Sequence, residues 1–340
     1  MAEPAGGQGR WGRRAFVRRA GLWAGGLLGA LRPGIFAAEP SRAGPGPLPR
    51  RSLGKTGVTV GILSLGTGTA GFSPAVSARQ IARMVRSALE VGINFIDTAR
   101  MYDNAEEGVA LGLVGRRRHA FLATKVAADT VREAEQSLDT SMKTLRTDYL
   151  DLVYFHSVGD RDVDHALGPA GVFTWLVKQK QAGRIRFVGI SGHNRPARFL
   201  PYIETGQVDV VLMAMNLVDR YTYGFEEKVL PAARKRGLGV LAMKVYGGKA
   251  GGFANYRKPN LPPLLGTEHL ERALRYALGL PGVTAVNIGP HGSEELVENV
   301  EVACRFRPLS QAEQAELERL GRRLSAQWGE HFGPVRDEPS

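Results

Sequence analysis

From residue 51 onward, short apolar runs alternate strictly with segments of helical spacing, and that alternation confines the chain to a small group of folds. The runs are ILSLGTGT (62–69), INFID (93–97), AFLATKV (120–126), YLDLVYFH (149–156), IRFVGIS (185–191), VDVVLMAMN (208–216), LGVLAMKV (238–245) and VTAVNIG (283–289). Between them the text turns helical. Ser77 with Gln80 makes a capping box that opens a helix to about residue 91. Val131, Ala134, Leu138, Met142 and Leu145 recur at helical spacing. Pro196 sits at a first-turn position. Further helices are expected near 106–113, 172–182, 226–236, 267–278, 293–302 and 310–324. Runs as continuously apolar as LDLVYF imply strands buried on both faces, hence parallel strands joined by helical crossovers. Eight such units close most naturally into an α/β (β/α)8 TIM barrel. The rival is a doubly wound open sheet. The glycine run GTGTAG follows the first strand, but Asp97 and Thr98 do not stand where a ribose-binding acid belongs, so the barrel is favoured.

Charge must be divided before it is used. Residues 1–38 hold six arginines against one acid, and the rest of the chain keeps +7 of the formal +12. Those remaining bases are dispersed, with no stripe interleaved by aromatics, so a solvated surface is expected and not a nucleic-acid partner. The single Cys304 cannot form an internal disulfide and excludes an all-cysteine metal cluster. No metal-spaced His/Cys cluster and no G-x-S-x-G elbow occurs either. Nothing past residue 40 is apolar for long enough to span a bilayer, so no stable membrane insertion is expected.

The N-terminus reads as an address. GRRAFVRRAGLWAGGLLGALRPGIFAAEP has a basic start, a short Gly/Ala/Leu run and a small-residue exit, the layout of a signal peptide. Arg13 and Arg14, with Phe16 two positions on, resemble a twin-arginine export signal. The expected division is a signal peptide over 1–38, a Pro/Gly linker over 39–50, the barrel over 51–330 and a tail over 331–340. The protein is then exported to the periplasm by the twin-arginine machinery, or cytoplasmic if the signal is not used.

In a barrel the chemistry sits at the C-terminal ends of the strands. There the sequence places Asp97, with Tyr102 five residues on, then Lys125, His156, Ser191 with His193, Asn216, Lys244 and Gly289. Buried Asp and Lys are uncommon unless paired. A phenol with a reference pKa near 10 is a poor acid at neutral pH; an ammonium at Lys125 would lower it, and Asp97 would keep that lysine charged and aimed. A neutral His156 could polarise a carbonyl. The set suits proton transfer to a carbonyl oxygen.

GINFIDTARMYDNAEEGVALGL, ATK, DYLDLVYFH, GRIRFVGIS and the MN of the sixth strand resemble, in order and spacing, the aldo-keto reductase family over about residues 51–302. RSLGKTGVTVGILSLGTGT resembles that family's N-terminal hairpin, which plugs the barrel bottom. The resemblance implies a nicotinamide cofactor, NADP or NAD, and hydride transfer to an aldehyde or ketone. It implies Tyr102 as proton donor, Lys125 and Asp97 as its tuning pair and His156 as carbonyl orienter. Ser191 and Asn216 would meet the nicotinamide carboxamide, Met243 with Lys244 and Gly289 would line the cofactor, and Glu298 with Asn299 would contact adenine. Four positions depart from the pattern: Leu212 stands for a glutamine, Met243 for a stacking tyrosine, and Gly289 and Glu295 for the bases that hold a 2′-phosphate, leaving His291. Those departures keep a second reading open, a nucleotide-binding regulatory barrel without turnover. The substrate is expected to be a small carbonyl or alcohol.

Overall fold

The computed structural model describes residues 46–249, 253–258 and 261–337. The expected signal peptide, its arginine pair and most of the linker lie outside the described residues. Eight parallel strands close a barrel in chain order: β3 (Leu63–Gly66), β4 (Phe95–Asp97), β5 (Phe121–Val126), β6 (Leu150–Phe155), β7 (Ile185–Gly192), β8 (Val210–Ala214), β9 (Gly239–Met243) and β10 (Ala285–Ile288), with β10 returning to β3. The fold is the (β/α)8 barrel.

Why the runs are apolar throughout is visible in the packing. Along β6, Leu152 and Tyr154 face the barrel interior while Val153 and Phe155 face the surrounding helices. The two-residue period of a strand thus sends alternate side chains into two separate cores. Two short antiparallel strands, β1 (Arg50–Ser52) and β2 (Thr59–Gly61), precede the barrel. Leu53 and Val60 of this hairpin join the interior cluster with Phe95, Phe121, Val210 and Leu241. The Lys55 amide donates to the Gly237 carbonyl at 2.8 Å, just ahead of β9, so the hairpin seats at the end opposite the strand C-termini. Gly54 has φ +52°, and a Cβ there would lie 2.3 Å from the Gly239 nitrogen, so only glycine allows this approach.

The capping box at Ser77 and Gln80 forms, and the helix runs Ala78–Glu90. Three expected helices are broken, one of them at 267–278, where a 3-10 turn, Thr267–His269, precedes the helix Leu270–Gly279. The segment from Pro196 is a 3-10 turn, Pro196–Arg198, followed by a short helix, Phe199–Glu204. The segment 226–236 divides into Phe225–Lys228 and Leu230–Lys235, where Pro231 lacks the amide that would continue the ladder. The C-terminal end, His331–Asp337, packs onto the barrel. Tyr223 Oη receives the Phe332 amide at 2.8 Å and donates to the Gly333 carbonyl at 3.0 Å, and the Arg195 amide donates to the Pro334 carbonyl at 3.1 Å. No helix among the described residues is long and apolar enough to cross a membrane.

Candidate active site

Parallel strands deliver Asp97, Lys125 and His156 to one mouth: Asp97 ends β4, Lys125 is the last residue but one of β5, and His156 follows β6 directly. Asp97 and Lys125 are each 2% exposed. Lys125 Nζ donates to Asp97 Oδ1 at 2.8 Å, to Oδ2 at 2.7 Å and to the Thr98 carbonyl at 2.8 Å. The ammonium also lies 4.8 Å from the centre of the Tyr102 ring. Tyr102 stands on the turn after β4, half-buried, with Phe72 edge-on at 5.1 Å and the His156 ring edge-on at 6.2 Å. The glycine run after β3 has a local reason: a Cβ at Gly68 would press the Tyr102 ring at 3.2 Å, and one at Gly71 would meet the Tyr102 carbonyl at 2.6 Å.

Burial sets the protonation states here. It pushes the Tyr102 phenol above its ordinary value, and Lys125 pulls it back only in part. The expectation of a lowered phenol is therefore corrected: desolvation exceeds the help of the ammonium, and Tyr102 stays protonated at neutral pH. Burial likewise raises the Asp97 carboxyl, against Lys125 and Asn287. It opposes the Lys125 cation, yet Asp97 and Tyr102 together outweigh it and hold that ammonium above the usual lysine value. Burial, then the charges of Lys125, Arg161 and Lys244, hold His156 far below the ordinary imidazole value, so it is neutral. His156 Nδ1 is buried without a hydrogen-bond partner among the described residues.

The nucleotide candidates are arranged differently. Ser191 is buried near the end of β7 with its Oγ unpartnered among the described residues, so it can take a ligand hydrogen bond. Asn216 cannot do so as it stands. Its Nδ2 donates to Asp219 Oδ2 at 2.6 Å and to the Lys244 carbonyl at 3.0 Å, while its Oδ1 accepts the amides of Val218 and Asp219 at 2.9 and 2.8 Å. All four hydrogen-bonding positions of the amide are committed to folding the loop, so the expected carboxamide contact is replaced by a structural one. Leu212 and Met243 both pack into the interior cluster. Lys244 comes next with φ +59°, a left-handed backbone rare for a lysine, and its Nζ contacts Tyr256 Oη. A Cβ at Gly289 would come 2.6 Å from Thr69 Oγ1, so glycine lets the end of β10 approach the first loop. Glu298 is exposed on the helix Ser293–Cys304. Asn299, on the same helix, joins Tyr246 Oη to the Glu295 carbonyl. His291 is bonded to Glu295 through its amide at 2.9 Å.

Three features go unmarked in the sequence. Asn287 of β10 reaches Asp97 at 3.0 Å. Lys249, 4% exposed, donates to the Lys258 carbonyl at 3.1 Å and lies within electrostatic reach of Glu295. The C-terminal segment lies by the ends of β7 and β8, with the Phe332 ring tilted against that of His193 at 5.5 Å and His331 Nε2 2.9 Å from Asp219 Oδ1. An asparagine inside a strand run and a lysine among loop glycines carry no local signal of their own.

A closed barrel with a lysine-supported phenol and a neutral imidazole at its mouth is the equipment of an enzyme that moves a proton at a carbonyl oxygen. The chain belongs to the aldo/keto reductase family, whose sequence profile matches residues 63–263. It is 27% identical to the L-galactose dehydrogenase of Arabidopsis thaliana over 298 residues, 76% of this chain and 89% of that relative. A methylglyoxal reductase of Escherichia coli O157:H7 is 30% identical over 171 residues, covering 49% of this chain and 62% of the relative. An aldo-keto reductase of Bacillus halodurans, solved in its holo form, superposes with a TM-score of 0.65 at 25% identity, covering 84% of this chain and all of that one. By class the protein is a nicotinamide-dependent oxidoreductase.

Proposed function

We propose that the protein reduces the carbonyl of a small aldehyde or ketone with NADPH or NADH, or oxidises the corresponding alcohol, with Tyr102 as proton donor. The observation that carries this reading is Lys125, whose ammonium is held by both oxygens of a buried Asp97 and lies against the Tyr102 ring. The reduced nicotinamide supplies the hydride when bound; the chain supplies everything else. Tyr102, kept protonated by burial, gives its proton to the carbonyl oxygen as negative charge develops there. Lys125 stabilises the phenolate left behind, and neutral His156 donates a hydrogen bond to the same oxygen, fixing its direction. Phe72 sits edge-on to the Tyr102 ring and gives that side of the phenol an apolar neighbour.

The residues present fit a nicotinamide cofactor. The unpartnered Ser191 Oγ is available to its carboxamide, and the Met243 thioether can pack a ring face. Glu298 and Asn299 offer polar contacts to adenine, with Lys244 and Gly289 along the path between. Glu295 stands where the resemblance expects a base for the 2′-phosphate, with Lys249 within electrostatic reach of it, and the ratio of NADP to NAD affinity reads the preference. The relatives named above are an L-galactose dehydrogenase and a methylglyoxal reductase, and small polar carbonyls are the substrate class proposed here. Export by the twin-arginine machinery to the periplasm is the proposed localisation, resting on Arg13, Arg14 and the apolar run behind them. That route carries folded proteins, so a cofactor bound tightly enough to travel is expected. Mass spectrometry of nucleotide released from protein purified without added cofactor tests this: NADP(H) or NAD(H) supports it, and a protein that neither holds nor binds either nucleotide refutes it. Fractionation of cells expressing Arg13→Lys/Arg14→Lys tests the address, which fails if the variant is exported like the wild type.

A further inference from the structure

Asp97 has a second polar grip besides Lys125. The side-chain amide of Asn287 donates to Asp97 Oδ2 at 3.0 Å, and the Ser64 hydroxyl donates to Asn287 Oδ1 at 3.0 Å. Asn287 and Ser64 are directly paired across β10 and β3, the two strands at which the barrel closes. Further along β3, a Cβ at Gly66 would strike the Asn287 amide at 2.9 Å, so glycine leaves the space this side chain needs. The orientation of the amide is fixed by its partners. An ionised carboxylate only accepts, so Nδ2 faces Asp97, and Oδ1 is left to take the serine proton.

We propose that Ser64 and Asn287 are positioning residues for the reaction, a relay that keeps the Asp97 carboxylate ionised and aimed so that its proton stays on Lys125. This rests on the reading of Tyr102 as proton donor. The physical need is plain. Two opposite charges buried together compete with a neutral pair formed when the proton crosses from lysine to carboxylate, and burial favours the neutral pair. An amide hydrogen bond to the carboxylate favours the charged one. Were the proton to cross, Tyr102 would lose the cation beside it. Among the described residues the other titratable groups facing Asp97 are the phenols of Tyr102 and Tyr154, both protonated at neutral pH, so neither supplies a compensating charge.

The test tracks the Asp97 carboxyl resonance by NMR in isotope-labelled full-length protein, assigned by its loss in Asp97→Asn, for wild type, Asn287→Leu, Ser64→Ala and the double variant. The titration midpoint of Asp97 is expected to rise by about one pH unit in Asn287→Leu, the size of one hydrogen bond to a charged acceptor. The rise is smaller in Ser64→Ala. The double variant goes no further than Asn287→Leu, because Ser64 acts only through Asn287. Turnover falls in kcat with KM little changed. An unmoved midpoint in folded Asn287→Leu overturns the proposal, as does a Ser64→Ala shift that adds in full to the double variant. Should Asn287→Leu fail to fold, Ser64→Ala alone decides, a raised midpoint supporting the relay and an unmoved one ending it. Raised midpoints in a protein that reduces no carbonyl leave the relay standing and refute the reaction.

Discussion

The two halves of the barrel mouth are built on different plans. Across β4 to β6, every polar group of the Asp97–Lys125 pair is answered by another, and Tyr102 and His156 are set against them by packing. Across β7 to β9, Leu212 and Met243 turn to the apolar interior, Asn216 is consumed by its own loop, and the C-terminal segment leans in through Phe332 and His331. Proton handling demands fixed donors in fixed protonation states, and a single missing partner in a buried ionic pair is costly. Holding a flat ring and a carboxamide is a looser demand that several side chains can meet. The half proposed for proton handling is therefore held by paired polar groups, and the half proposed for the cofactor is largely apolar or occupied by its own contacts.

Breaking the first half should have the largest effect. Tyr102→Phe is expected to lower turnover by about 10²- to 10⁴-fold, the usual worth of a positioned general acid. Nucleotide affinity, measured by fluorescence titration, stays within about twofold, because the phenol belongs to the other sector. An equal loss of both would erase the division between halves. Lys125→Met strands the Asp97 carboxylate in the interior and is expected to lower stability by about 3–5 kcal/mol in denaturant unfolding. A loss under about 1 kcal/mol would mean the pair is not ionised in the native protein.

Acidity sharpens the same comparison. His156 and His193 bind their protons far less readily folded than unfolded, burial being the first cause in both. Groups depressed in this way add stability above the unfolded histidine value of 6.5, and that stability is lost as pH falls below it. The melting temperature is expected to drop between about pH 7 and pH 5, and His156→Asn should flatten part of that drop. In the alkaline direction the Tyr102 phenol, raised above 10.0, stays protonated across the neutral range, so reduction through it is expected to fail only at higher pH. The smallest effect belongs to the half proposed for the cofactor: Ser191→Ala should weaken nucleotide binding by about 1 kcal/mol, roughly fivefold, with turnover of bound carbonyl little changed. Unaltered affinity would remove Ser191 from the cofactor site.

Much of this is legible in the text of the chain, for reasons that differ by element. A strand such as LDLVYF announces itself because both of its faces are buried, and the Ser77–Gln80 box marks a helix start by local hydrogen bonding alone. Asp97, Lys125 and His156 stand out as polar residues closing apolar runs, which burial seldom allows without purpose. Pro196 reads as a helix start, but the length of helix beyond it depends on Pro201 and on how much room the barrel leaves, and the outcome is a turn and six residues of helix. The direction of the Tyr102 shift escapes the sequence because spacing reveals a neighbouring charge but not the depth of burial. Asn216 is legible as a strand-end polar residue and not as a loop cap, since its partners Asp219 and the Lys244 carbonyl meet it only after folding. Asn287 and Ser64 lie 223 residues apart and become partners only where the barrel closes.

The most direct test of the central claim is isotopic. Nucleotide carrying deuterium at the reactive ring position is mixed with the protein and a panel of small polar aldehydes and ketones, and the alcohol products are analysed by mass spectrometry. Deuterium on the former carbonyl carbon, formed by wild type and at least about a hundredfold more slowly by Tyr102→Phe, is the predicted result. Nucleotide that binds tightly while its label reaches no carbonyl in the panel would contradict the account and leave a barrel that holds the cofactor without using it.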